Sequence, residues 1–157
     1  EIPPTEENPG DIQEWTTDHD GKLRVAIRTD GVNRSLLYRD REDYPFRTLL
    51  TTDFRESVSH LFFTFDNKKL YVASNLGRDK SAIFVFDEHG RPVDMVAERQ
   101  DLARGRLETW STPMSAYGEF GGVRVPTAGA AIWRYDTGDF PYIELQITSL
   151  TYHPSSR

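Results

Sequence analysis

Apolar positions along the first half of the chain come in short bursts, "LRVAI", "SLLY", "LFFTF", "KLYVA" and "AIFVF", each bounded by Asp, Gly or Asn. No segment before residue 95 sustains a 3.6-residue apolar period. The bursts are rich in β-branched and aromatic residues, so the pattern predicts strands. A first pair is expected at Trp15 to Asp18 and Leu23 to Arg28, joined by a turn at "DHDG", and a second at Ser35 to Tyr38 and Thr48 to Leu50. Further on, "FDEHGRPVDMVAERQ" reads as strand, four-residue turn and strand. In the last strand Ile143, Leu145 and Ile147 alternate with Glu144, Gln146 and Thr148, which predicts one buried and one exposed face. The pattern as a whole predicts an all-β fold of antiparallel meanders with little helix.

The bursts also repeat. Aligning Leu23 with Leu70 brings Val25 onto Val72, Ala26 onto Ala73, Leu36 onto Ile83, Leu37 onto Phe84 and Asp40 onto Asp87. A turn-forming aspartate opens each copy, Asp20 in "DGK" and Asp66 in "DNKK", with one residue inserted. A period of roughly 40–50 residues is that of four-stranded propeller blades. The stretches "TDHDGKLRVAIRTDGVNRSLLYRD" and "FTFDNKKLYVASNLGRDKSAIFVFD" resemble consecutive blades of the N-terminal β-propeller of bacterial prolyl-oligopeptidase-type serine peptidases, over residues 10 to 87. The resemblance implies a propeller that filters substrates by size for an α/β-hydrolase domain, whose serine sits in a G-x-S-x-G elbow. No G-x-S-x-G occurs in the 157 residues, so the chain carries no recognisable nucleophile and catalytic residues are expected to be none.

Residues 86 to 152 carry a different resemblance. Trp110, Ser111, Pro113, Tyr117, Gly122, Arg124, Pro126, Thr127, Trp133, Gly138, Phe140, Pro141 and Tyr142 match the pattern of the C-terminal part of an uncharacterised bacterial family. That resemblance implies a curved antiparallel half-barrel of the lipoprotein-carrier kind and no known activity. The expected organisation is an extended leader at 1–14, two propeller-blade-like repeats at 15–87 and a curved sheet at 88–157, with "AIFVF" shared between the two parts. A natural fusion and an artificial chimera would both read this way, and a start at Glu1 without methionine reads as a fragment or a processed chain. Alternation within "AIFVF" places Phe84 or Phe86 against the core.

Composition narrows the partners. A net charge of −6 and the lack of a basic patch argue against nucleic acid and anionic lipid surfaces. No apolar run approaches the length of a transmembrane helix. The chain has no cysteine, which removes disulfides and thiolate chemistry and leaves a bacterial cytoplasm or periplasm equally open.

Candidate chemistry is sparse. "DHDGK" has oxygen ligands at alternate positions, as a calcium loop does, but lacks a third acid and the distal glutamate, and reads as a hairpin turn. His19, His60, His89 and His153 stand apart without zinc spacing. "NRS" at Asn33 fits a glycosylation acceptor and reads as a loop. Glu98, Glu108, Glu119, Asp136, Asp139 and Glu144 read as turn and edge acids, and "FGG" as glycines that bend a strand. No metal and no cofactor is expected.

The aromatic set Trp110, Tyr117, Phe120, Trp133, Phe140, Tyr142 and Tyr152 is the one dense cluster. On a single curved sheet such residues either pack under a covering element, which is the expectation here, or face an apolar ligand. Trp110, Tyr117, Trp133 and Tyr142 are therefore the candidate ligand-binding residues. The functional expectation is a non-catalytic β-sheet binding or interaction module, with an apolar small molecule or a protein as partner. A carrier of lipid or another apolar ligand is the first alternative, and an idle substrate-gating piece of a prolyl-oligopeptidase-type peptidase the second.

Overall fold

The computed structural model describes residues 10–151, so the expected leader falls largely outside the described residues, as do Tyr152 and His153. It is all-β, with twelve strands and no helix among the described residues, and every pairing within its two units is antiparallel. No helix among them is long and apolar enough to cross a membrane. The chain divides into two compact units, Glu1–Arg91 and Pro92–Arg157.

The first unit holds seven strands. β1 (Ile12–Thr17), β2 (Leu23–Thr29), β3 (Arg34–Tyr38) and β4 (Arg47–Thr52) form one meander, and β5 (Val58–Phe63), β6 (Lys69–Ser74) and β7 (Ala82–Asp87) form another. Both meanders supply one core. Val25, Ile27, Leu36 and Tyr38 from the first join Val58, Phe63, Leu70, Val72 and Phe86 from the second. Inward residues alternate with outward ones, as a pleated strand demands. Where spacing breaks the alternation, a bulge restores it: Leu61 is the extra residue that lets Val58, His60 and Phe63 all pair with inward residues of β6.

That bulge displaces the strand expected at "LFFTF". β5 ends at Phe63, and Thr64 to Lys69 form a turn in which Asp66 accepts hydrogen bonds from the Lys68 amide and the Thr64 hydroxyl. Phe65 stays outside the core, stacked on His19. Both Phe84 and Phe86 face the core, because residues two apart share a face. The repeat holds in β2 and β6, where Val25 and Val72 are both buried, and slips by one residue in β3 and β7. Leu36 points inward and Ile83 outward, since Val25 pairs with Tyr38 whereas Val72 pairs with Phe84. A one-residue slip exchanges the faces of a strand.

Two polar devices brace this unit. Asp18 closes the β1–β2 turn by accepting from the amides of Asp20 and Lys22, and its other oxygen lies 3.1 Å from the buried Arg24 guanidinium. The "DHDG" stretch is thus the hairpin turn it was read as, with its first carboxylate already engaged. Arg24 also donates to the Tyr38 hydroxyl, which donates to the Glu88 carbonyl. Burial pushes the Tyr38 phenol above its usual range, more strongly than the neighbouring Arg24 charge pulls it down. The second device is the turn after β7. A Cβ on Gly90 would come within 2.8 Å of Arg47 and 3.1 Å of Tyr38, and its φ of +67° suits glycine.

The second unit is built differently. β8 (Pro92–Asp101) pairs with β9 (Arg106–Ser111), β9 with the long β11 (Val123–Tyr135), and β11 also with β10 (Met114–Phe120) and β12 (Gly138–Gln146). Its only buried apolar residues are Trp110 and Ala131 among the described residues. The one buried face expected for the last strand is absent: β12 is exposed along its whole length, including Ile143 and Leu145. Among the described residues it is an edge strand paired only with β11, and no second sheet of this unit packs on it. Gly121 and Gly122, expected to bend a strand, instead form the β10–β11 turn with φ of +56° and +80°.

Candidate functional site

Register decides which aromatic residues of the second unit meet. Trp110 sits directly opposite Trp133, Trp133 opposite Phe140, and Ala97 opposite Trp110, so these four form a row across β8, β9, β11 and β12 on one face. Directly paired residues share a face, and residues two apart share it too. Tyr135 therefore joins this face, and its ring stacks against Trp133 at 6.3 Å and Phe140 at 6.3 Å. A bulge leaves Tyr142 unpaired between Pro141 and Ile143, which turns it toward the same side. Its hydroxyl accepts from the Trp110 indole at 2.9 Å, and its ring stacks on Trp133 at 6.3 Å.

Three of the four candidate ligand-binding residues thus converge, and Tyr117 does not. Tyr117 pairs with Pro126, an even position of β11, whereas Trp133 is odd. The strand alternates without a slip between them, so Tyr117 lies on the opposite face, where its hydroxyl donates to the Pro92 carbonyl. Phe120 shares the Trp133 face but sits at the far end of β11, opposite Val123.

The face is open. Tyr142 is 43% exposed and Phe140 54%, and of its aromatic rings only Trp110 is buried. Among the described residues of this unit no second sheet or helix lies over it, so the cover expected for these rings is not found there. Ile143 and Leu145, paired with Ala131 and Gly129, extend the apolar surface along β12. A cleft of about 340 Å³ adjoins there, lined by residues that include Met114, Gly129 and Leu145.

Charged groups edge the aromatic end. The Arg99 guanidinium lies 4.4 Å from the Trp110 ring centre and that of Arg104 lies 3.6 Å from Tyr135. Guanidinium planes stack well on aromatic faces. The Tyr135 hydroxyl donates to Asp101 at 2.8 Å. This bond, with those from the Ala103 and Arg104 amides, holds the Asp101 carboxyl below its usual 3.8. Burial, with the Asp101 bond and charge, raises the Tyr135 phenol. Glu108, read as a turn or edge acid, is buried and bonded to Arg106 at 2.6 Å.

A depressed carboxyl contributes stability above its unfolded value, and loses it as pH falls through the folded one. The tertiary signal of Tyr135 is therefore expected to hold from neutral pH down to about 3.8 and to fade below. Tyr135→Phe removes the strongest of the bonds that depress Asp101, so an NMR titration should show this carboxyl rising toward 3.8. An unmoved Asp101 titration in that variant would contradict the assignment.

Sequence reasoning missed Tyr135, Arg99, Arg104 and Asp101. Tyr135 was detectable, since "WRY" places it two residues from Trp133 on a strand. The arginines were not, because their approach to the rings depends on the turn between β8 and β9.

The profile of a family of unknown function, DUF6544, matches residues 63–145, more than half of the chain. The chain belongs to that family. The DUF6544 span opens at Phe63, upstream of residue 86, so β6 and β7 fall within it, as do all the aromatic residues of the open face. No curated protein and no solved structure matches.

The first unit offers two polar clusters. A cleft of about 440 Å³ is lined by Arg24, Asp40, Arg41, Tyr44, Asp66, Asn67, Glu88 and His89. Its charges are largely paired, with Arg47 on Asp40 at 2.9 Å and Arg24 on Asp18. Elsewhere the Thr16 hydroxyl lies 2.8 Å from His60 Nε2, and Glu14 lies 3.9 Å from His60 Nδ1. A hydroxyl, an imidazole and a carboxylate in line suggest a relay, but 3.9 Å is beyond hydrogen-bond reach. Glu14 is instead held by Arg34, so no carboxylate among the described residues orients the imidazole as a base.

Proposed function

We propose that this chain is a non-catalytic binding module whose site is the aromatic face of the second unit, and that the occupant is apolar. The observation that carries the reading is the row Trp110, Trp133 and Phe140, joined by Tyr135 and Tyr142, on a sheet face left open by the described residues of its own unit. Large exposed apolar surfaces on folded proteins mark interaction sites. Rings give such a site wide contact at small conformational cost. The first unit, with its own core and its resemblance to peptidase propeller blades, is read as a passive scaffold. Lipid or another apolar small molecule fits the face better than a protein surface, because the rings grade into the aliphatic strip of Ile143 and Leu145 without charged side chains between them on that face.

Trp133→Ala tests this. The variant should keep a cooperative melt and lose less than about 2 kcal/mol, against about 3–5 for an aromatic truncation in a packed interior. Binding of an apolar fluorescent probe should weaken severalfold. A large loss of stability with probe binding intact would make the rings a core and sink the proposal.

A further inference from the structure

Arg99 is the unusual cation of the aromatic face. It is exposed on β8, on the same side as Ala97 and Asp101, and stacks on Trp110. It has no carboxylate partner among the described residues. Glu108, directly opposite Arg99 in the ladder, is bonded to Arg106 and lies 3.6 Å from Arg104. Asp101 is occupied by Tyr135 and two backbone amides. A guanidinium held over an indole face keeps N–H groups available at its edge, where a planar carboxylate can take two of them.

We propose that the ligand of this face is a single-chain amphiphile with a carboxylate head, the head bound by Arg99 beside Trp110 and the alkyl chain laid over Trp133, Phe140 and Tyr142. This rests on the apolar-ligand reading above and adds the head group. One free guanidinium matches one monoanionic carboxylate, whereas a phosphate dianion would call for further cations that the face has already committed to Glu108. Chain length follows from the row of paired residues. Three inter-strand steps separate Ala97 from Phe140, about 14 Å at about 4.8 Å each, so a long chain fills the row and a short acid does not.

The test titrates the full chain at low salt with dodecanoate, dodecanol and dodecyltrimethylammonium, each below its micellar concentration, following tryptophan fluorescence. Dodecanoate should bind roughly tenfold more tightly than dodecanol, the cationic probe most weakly, and added salt should narrow the gap. Arg99→Gln should abolish the preference for the carboxylate, and Arg99→Lys should retain part of it. Equal affinities in the parent, or an undiminished preference in a folded Arg99→Gln chain, would overturn the head-group assignment while leaving the apolar site standing. If neither dodecanoate nor dodecanol binds, the apolar site itself falls. Uptake onto anionic phosphatidylglycerol vesicles without binding of monomeric dodecanoate also overturns the proposal.

Discussion

Phe86→Asp should leave the first unit unfolded. Phe86 is 3% exposed and packs in the core that draws on both meanders, opposite Leu70 in the β6–β7 ladder. An aspartate there loses the ring's packing, about 3–5 kcal/mol for an aromatic truncation, and adds a carboxyl with no partner, at several more. The total stability of an ordinary domain is about 5–15 kcal/mol, so little would remain. Phe65→Leu is the control. Phe65 is 94% exposed and among the described aromatic rings touches only His19, and its replacement should stay within about 0.5 kcal/mol of the parent. Urea melts of the two variants check the contrast, and a Phe86→Asp chain with the parent midpoint would mean that the two meanders do not share a core.

Asp18→Ala should cost about 3–5 kcal/mol, the range for breaking a buried ion pair by deleting one partner. The Asp18 and Arg24 side chains are almost wholly withdrawn from water. Removing the carboxylate strands the guanidinium and also frees the Asp20 and Lys22 amides that it holds in the turn. Asp18→Asn separates the two effects, since its carbonyl oxygen can still accept from the turn amides while the charge is gone. It should lose less than alanine but remain well below the parent. Thermal melts that place Asp18→Ala within about 0.5 kcal/mol of the parent would show the pair to be idle.

Much of the fold was legible because the apolar bursts are short and bounded. β2, β3, β6 and β7 fall close to "LRVAI", "SLLY", "KLYVA" and "AIFVF", and the turn at "DHDG" is where the aspartate and glycine put it. Bulges were not legible. With the extra residue at Leu61, β5 starts three residues before "LFFTF" and ends within it at Phe63, and the slip between β3 and β7 broke a repeat that reads cleanly as letters. Register depends on pairing between distant residues, and no local pattern encodes it.

The site was half legible for the same reason. Clustering of aromatic letters found Trp110, Trp133 and Tyr142, but letters do not show faces, so Tyr117 was grouped with residues on the other side of the sheet. The alternation of Ile143, Leu145 and Ile147 is real in the sequence. What it could not show is whether a second layer would cover that face, and among the described residues of its unit none does.

The chain has three tryptophans, Trp15 in the first unit and Trp110 and Trp133 on the open face, and their indole N–H signals can be followed separately in a proton–nitrogen correlation spectrum. Titration with dodecanol, a neutral apolar ligand, is expected to shift the Trp110 and Trp133 signals together and saturably while Trp15 stays in place. A shift confined to Trp15, or no shift at any of the three at concentrations up to the solubility limit, would contradict the claim that this face is the binding site.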